Sequence, residues 1–174
     1  MVRWFEYSMR MTLDTFDHKI LAMLGRDARM TVSALAEHIG LSQSACTRRL
    51  QTLESEGVIA SYHPRFGWEV LGFHIVAYVA ITLASQAETA LEAFEAGVAH
   101  IPGVIECALV SGEHDYHVKI IARDLVDYER IHREGLGQLP GVARISTSFV
   151  LRAITTPGEA AAILTPVKRP HKPI

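Results

Sequence analysis

The run Ile101-Pro102-Gly103-Val104 returns as Leu139-Pro140-Gly141-Val142, each time after a helical stretch and before a strand-like one. Upstream of each helix lies another strand, Phe73 to Leu83 and then Tyr116 to Ala122, with Gly112 and its neighbours as the turn between the halves. Such a repeat constrains a chain strongly, because each copy is one supersecondary unit that cannot bury its apolar face alone. The order β-α-β-β-α-β predicts a ferredoxin-like sandwich, one antiparallel sheet under two helices, over residues 73–154. In the first strand Phe73, Ile75, Ala77, Val79, Ile81 and Leu83 share one face, and His74, Val76, Tyr78, Ala80 and Thr82 share the other. Two helices cover only one side of a sheet, and the second set is too apolar to leave in water. The pattern therefore predicts a homo-oligomer, at least a dimer, in which a second copy covers that face.

The N-terminal half has a different period. Asp14 is placed to cap a helix from Thr15 to Gly25, with Phe16, Ile20, Leu21 and Leu24 on its inner stripe and Asp17 complementing the helix dipole. Thr31 caps a second helix, from which Leu35, Ala36 and Ile39 face inward. A tight Gly40-Leu41 turn follows, and Ser42 caps a third helix that stops at Gly57. Val58-Ile59-Ala60-Ser61-Tyr62 alternates like a short strand. Three helices and a β wing predict a winged helix-turn-helix domain over residues 13–63, with 64–72 as a linker.

The third helix has two chemically distinct faces. Cys46, Leu50 and Leu53 form its buried stripe, while Ser44, Thr47, Arg48 and Gln51 fall opposite at ~100° per residue. The outward face carries hydrogen-bonding and cationic groups and no carboxylate, the chemistry that contacts base edges and phosphates. Ser42, Gln43, Ser44, Thr47, Arg48, Arg49 and Gln51 are therefore candidates for contact with double-stranded DNA. Arg49 lies beside the buried stripe, which suits it to a phosphate or an acidic neighbour rather than a base. The arginines sit in the first half of this helix while Glu54 and Glu56 sit at its end, the reverse of what the helix dipole favours. That polarity keeps the acidic end away from phosphates.

The formal net charge of −2 excludes a protein that coats polyanions wholesale, so DNA contact must come from a local patch and its duplication in an oligomer. Cys46 and Cys107 read as reduced core residues of a cytoplasmic protein. No run approaches the ~18 apolar residues of a membrane span, so no membrane partner is expected. The first ten residues lack the apolar core of a signal peptide, and Met9 and Met11 leave open a later start. Residues 1–12 form an extension, and the tail, 155–174, with Pro166, Pro170 and Pro173 among Lys168, Arg169 and Lys172, reads as a solvated, disordered end.

Leu13-Asp14 with Asp17, the run LAEHIGLSQSACTRRLQTLESEGVIASY, Leu71-Gly72, and GEHDY at Gly112 to Tyr116 together resemble the Lrp/AsnC, or feast/famine, family of transcription regulators. The likeness runs from about Leu13 to Ile154. It implies an α+β chain in which a winged helix-turn-helix domain precedes a ferredoxin-like βαββαβ domain for effector binding and oligomerisation. It also implies dimers, often assembled into octamers, and control by a small effector, commonly an amino acid, bound where neighbouring dimers meet. The family's Gly-x-x-Asp hairpin contributes to that site. Here it is Gly112, Glu113, His114 and Asp115, with Gln138 and Thr147 assigned by position to the same cleft.

Other chemistries find less support. Cys46 belongs to a core stripe, no serine sits in a nucleophile elbow, and no glycine loop cradles phosphate, so neither a catalytic residue nor a cofactor is expected. His114 and His117 are three apart, which on a strand points them to opposite faces and argues against a shared metal ion. The competing reading is an enzyme resembling the siroheme decarboxylases, which share this two-domain architecture. Their hairpin carries a His-x-Tyr-Asn-x-Trp-like run, whereas His114-Asp115-Tyr116-His117-Val118 has neither the Asn nor the Trp.

Overall fold

Each N-terminal helix starts at a capping side chain that the local sequence supplies. Asp14 accepts from the backbone N–H groups of Phe16 (2.8 Å) and Asp17 (3.0 Å) and opens α1, Thr15–Leu24. Asp17 accepts in return from the Asp14 N–H (3.0 Å), closing a capping box. Thr31 opens α2, Val32–Ile39, and Ser42 opens α3, Gln43–Ser55, each accepting from the N–H three residues on at 3.2 Å. Between α2 and α3 the chain reverses at Gly40, whose φ of 75° is open to glycine at little cost. The computed structural model describes residues 12–154, which divide into two compact units, 12–64 and 65–154. Residues 1–11 of the expected extension and the expected tail, 155–174, lie outside the described residues.

In the first unit Ile20, Leu35, Ala36, Ile39, Cys46 and Leu53 form one buried core, and Leu21, Leu24, Leu50, Val58 and Ile59 pack around it. Phe16 departs from the expected inner stripe. Its ring is half-buried beneath Arg49, whose guanidinium carbon stands 5.4 Å from the ring centroid. The same guanidinium reaches Asp14 (2.7 Å) and the buried Asp17 (2.8 Å), tying α3 to the start of α1. Asp17 thus serves more than the helix dipole: one carboxylate both closes the cap and anchors the third helix.

The expected wing strand is a correction. Val58–Tyr62 adopts no sheet pairing among the described residues. A strand needs an edge to pair with, and these residues fold back on α3 instead. Ile59 N–H donates to the Leu53 carbonyl (3.0 Å) and the Tyr62 hydroxyl donates to Glu54 (2.8 Å). Burial and the Glu54 carboxylate push the Tyr62 phenol up to about 12.

The second unit runs β1 (Ile75–Leu83), α4 (Glu88–Val98), β2 (Val104–Leu109), β3 (Tyr116–Ala122), α5 (Leu125–Arg130) and β4 (Val142–Phe149). The four strands form one antiparallel sheet in the order β2-β3-β1-β4, the ferredoxin-like arrangement the repeat predicts. Beyond Arg130 the helix widens into a π turn, Ile131–Gly135, then tightens into a 3-10 turn, Leu136–Gln138. Ala77, Val79, Ile81 and Leu83 bury one face of β1 against Phe94, Val98, Tyr128, Ile131 and Leu136. On the other face Val76, Ala80 and Thr82 are half-buried and Tyr78 is exposed. Phe73, expected at the start of β1, precedes it: its N–H donates to the Trp68 carbonyl (2.9 Å) and its ring meets Trp68 edge-on.

The two Pro-Gly turns are equivalent, with Gly103 at φ 92° and Gly141 at φ 75°. At Gly103 a Cβ would fall 2.7 Å from the Ile121 carbonyl oxygen, so only glycine lets β2 approach β3 there. Cys46 is buried as expected, but Cys107 lies exposed on the edge strand β2; both thiols are free. No described helix is long and apolar enough to cross a membrane.

The Asp17 anchor has a measurable consequence. Asp17→Ala removes hydrogen bonds to a cation and to a backbone N–H at a buried position, and it should destabilise the protein by roughly 1–3 kcal/mol in urea unfolding. In a double-mutant cycle with Arg49→Met the two losses should not add. The N–H of Asp17, with Arg49, holds the Asp14 carboxyl below the usual carboxylate range. Its contribution is therefore complete at neutral pH and is lost as pH falls through that depressed value.

Candidate functional site

The residues of α3 divide by what they already touch. Ser42 spends its hydroxyl on the cap and lies 3.2 Å from the Ser44 hydroxyl. The Gln43 amide donates to Ser33 on α2 (2.7 Å), fixing the angle between the two helices of the motif. Thr47 is half-buried and donates its hydroxyl to the Gln43 carbonyl (2.9 Å). Arg48 and Gln51 are exposed, and Arg48 makes no ion pair with a described residue. Arg49 differs from Arg48, because its guanidinium is committed to Asp14 and Asp17. Ser44, Thr47, Arg48 and Gln51 thus share an accessible face while Cys46 and Leu53 are buried behind it.

The hairpin between β2 and β3 gathers a second set. Gly112 turns the chain at φ 135°, Val110 N–H donates to the Asp115 carbonyl (2.8 Å), and Asp115 N–H donates to the Ile81 carbonyl (3.0 Å). The Asp115 carboxylate is nearly buried. One oxygen accepts from the Leu83 N–H (2.7 Å) and the other from the Gln86 amide (2.7 Å). This carboxylate fastens the hairpin to the end of β1. Glu113 is exposed, and His114 Nδ1 lies 3.3 Å from the Thr82 hydroxyl on the open face of the sheet. Thr82 and Gln86 therefore belong to this corner and were not singled out in the sequence. Their proximity depends on the register of β1 against β3, which no local motif encodes.

Gln138 and Thr147 lie apart from it. Gln138 lines a groove of about 320 Å³ with His100, Arg130 and Glu134, on the helical side of the unit. Thr147 pairs with Val79 and meets the Tyr128 hydroxyl beneath the helices. Within one chain, the hairpin, the groove and the Thr147 hydroxyl are three separate places. The two histidines are closer than strand alternation predicts, with ring centroids 6.2 Å apart, because His114 sits in the turn rather than on β3. No group of three metal-ligating side chains occurs among the described residues.

Comparison with known proteins joins the two units. Residues 13–60 match the winged helix-turn-helix DNA-binding family, and residues 76–159 match the Lrp/AsnC ligand binding domain. The chain is 36% identical over 146 residues to the proline dehydrogenase transcriptional activator of Rhizobium radiobacter, covering 84% of this chain and 94% of that one. It is 39% identical over 153 residues to the transcriptional regulatory protein DoeX of Halomonas elongata, covering 88% and 97%. A transcriptional regulator of Neisseria meningitidis, solved as a complex with L-Met, superposes with a TM-score of 0.80 at 32% identity, covering 83% of this chain and 94% of that one. A helix-turn-helix with an outward polar face, a ferredoxin-like sheet and near full-length relatives of one kind lead to one conclusion: this chain is a DNA-binding transcriptional regulator of the Lrp/AsnC family.

Proposed function

We propose that the chain acts in the cytoplasm as a homo-oligomer whose dimers set two α3 helices into successive major grooves, about 34 Å apart. It binds a small effector, an amino acid, at the Gly112–Asp115 hairpin, and catalysis forms no part of its role. The observation that carries this reading is the division of labour between Arg48 and Arg49. Residues 12–64 hold five Lys and Arg against six Asp and Glu, so the unit as a whole does not attract DNA. Attraction must be local. Arg48 supplies it beside Ser44, Thr47 and Gln51, while Arg49, held by Asp14 and Asp17, sets the angle at which that face is offered. In this reading Ser42 and Gln43 position the helix and lend their backbone and remaining polar atoms to phosphates.

The effector part rests on the exposed Glu113 and half-buried His114 beside Thr82, and on the methionine bound by the Neisseria meningitidis regulator. The oligomer rests on the open sheet face, where Val76, Tyr78 and Ala80 are apolar with no helix among the described residues to cover them. Neighbouring dimers would then bring together hairpin, Gln138 and Thr147 surfaces that a single chain keeps apart.

Three measurements test these statements separately. Arg48→Ala should weaken binding to the protein's own upstream DNA by roughly 1–3 kcal/mol in fluorescence anisotropy, and relax base preference at one position per half-site. An equal loss on random DNA assigns Arg48 to phosphate instead. Ala80→Glu on the open face should shift the species seen by light scattering toward monomer without lowering helix content. In a thermal-shift panel of amino acids, one or more should raise the midpoint, and His114→Ala should abolish that rise while leaving DNA affinity intact.

A further inference from the structure

We propose that His114 and His117 form a two-imidazole site for a divalent transition-metal ion of the Zn²⁺ and Ni²⁺ class, on the open face of the sheet. The inference does not rest on the effector reading, although His114 takes part in both.

Positions three apart on a strand point to opposite faces, which would keep these two residues from sharing an ion. β3 begins only at Tyr116, so His114 lies in the turn and escapes that alternation. His117 pairs with Ala80 on β1 and with Ala108 on β2, and residues directly opposite across antiparallel strands share a face. Thr82, two residues beyond Ala80, lies on that face too, and its hydroxyl stands 3.3 Å from His114 Nδ1. Both rings therefore meet over one surface, with centroids 6.2 Å apart and planes inclined at 49°. Two imidazole nitrogens held about 2.0–2.1 Å from a tetrahedral ion place their ring centroids roughly 5 Å apart, so a movement of about 1 Å closes the pair. His117 has the room to make it. It is exposed, hydrogen-bonds to no described residue, and has only alanine methyls opposite it on both neighbouring strands.

The surroundings suit a metal ion. With the Thr82 oxygen accepting from Nδ1–H, the Nε2 lone pair of His114 is left to coordinate, and such an orienting bond on the other ring nitrogen is the usual companion of a metal-binding histidine. The cations of this face are turned aside. Lys119 lies over the Tyr78 ring and opposite Glu106, and Arg144 flanks Thr82 from β4, the side away from the hairpin. The Asp115 carboxylate is engaged by Leu83 and Gln86, so the pair offers nitrogen rather than oxygen. Imidazole without carboxylate selects zinc, nickel or copper over magnesium or calcium. No third metal-ligating side chain joins the pair among the described residues, so water completes the shell and the ion exchanges, unlike one in a closed structural site. The helix histidines differ: His18, His38 and His100 each bond through Nδ1 to the carbonyl four residues back, at 2.8, 2.7 and 2.8 Å, and none faces another imidazole among the described residues.

Calorimetric titration of the full-length protein, free of any affinity tag, with Zn²⁺ and with Mg²⁺ tests the site. Zn²⁺ should bind with a Kd of about 1–100 μM, and Mg²⁺ should not bind up to about 10 mM. His114→Ala and His117→Ala should each weaken Zn²⁺ by about tenfold or more while circular dichroism shows the metal-free fold unchanged. His100→Ala, which removes a solitary imidazole, should leave the affinity within about twofold. Zn²⁺ binding weaker than about 1 mM overturns the proposal, as does wild-type affinity in either variant of the pair. Equal binding of Mg²⁺ overturns it as well. So does an equal loss in His100→Ala, which assigns the metal to scattered surface histidines. No amino acid enters these titrations, so a hairpin that binds no effector leaves the metal result unaffected.

Discussion

A sheet flanked by two helices has a side that those helices cannot cover, and the second unit is organised around that constraint. β1 lies between β3 and β4 and is apolar on both faces. The helical face closes over Ala77, Val79, Ile81 and Leu83, with Phe94 stacked on Tyr116 at 4.4 Å between ring centroids. The Tyr116 hydroxyl donates to Glu95 (2.9 Å), and burial with that carboxylate drives its phenol far above the ordinary range, so it stays a neutral donor. On the opposite face Tyr78 is exposed and Val76 and Ala80 are half-buried. Lys119 softens that exposure by lying over the Tyr78 ring, 5.6 Å from its centroid, but the strand remains suited to a partner.

In the first unit the equivalent organising contact is electrostatic. Asp17 is one of only two buried acidic residues among those described, and it is matched by a cation from the recognition helix and by the cap of α1. Burying a carboxylate is costly unless it is paired and hydrogen-bonded, and here it is both. The arrangement divides two adjacent arginines into different tasks. One gives up its charge to the scaffold, and the other stays available because α3 turns it ~100° away.

Much of this was legible in the sequence because the signals are local. Asp14, Thr31 and Ser42 announce helix starts within three residues of themselves, and the two Pro-Gly turns mark equivalent points of a repeat. Alternation along residues 75–83 identifies both faces of β1. What escaped needed partners distant in sequence or departed from a regular pattern. An acidic neighbour for Arg49 was legible, but its identity was not, because Asp17 lies thirty-two positions away. Asp115 finds Leu83 and Gln86 only once the sheet register is set. The wing residues alternate like a strand but meet no edge to pair with among the described residues, and the π turn after Arg130 interrupts a stretch that periodicity reads as a plain helix. The effector residues were grouped from family resemblance, and one chain holds Gln138 and Thr147 away from the hairpin.

The two bonds from Asp115 to the end of β1 bear on how this regulator can diversify. Under the effector role proposed for the hairpin, Asp115 serves both a sheet and a binding loop and is not free to drift with the ligand, since a change of its charge or length costs folding before it is tested in binding. Glu113 and His114, one step outward on the same loop, carry no such double duty. On that proposal, new ligand preferences open to this chain through two adjacent positions, with the aspartate as a fixed frame. A lineage could then exchange its signal molecule by point substitution while the sheet beneath stayed the same.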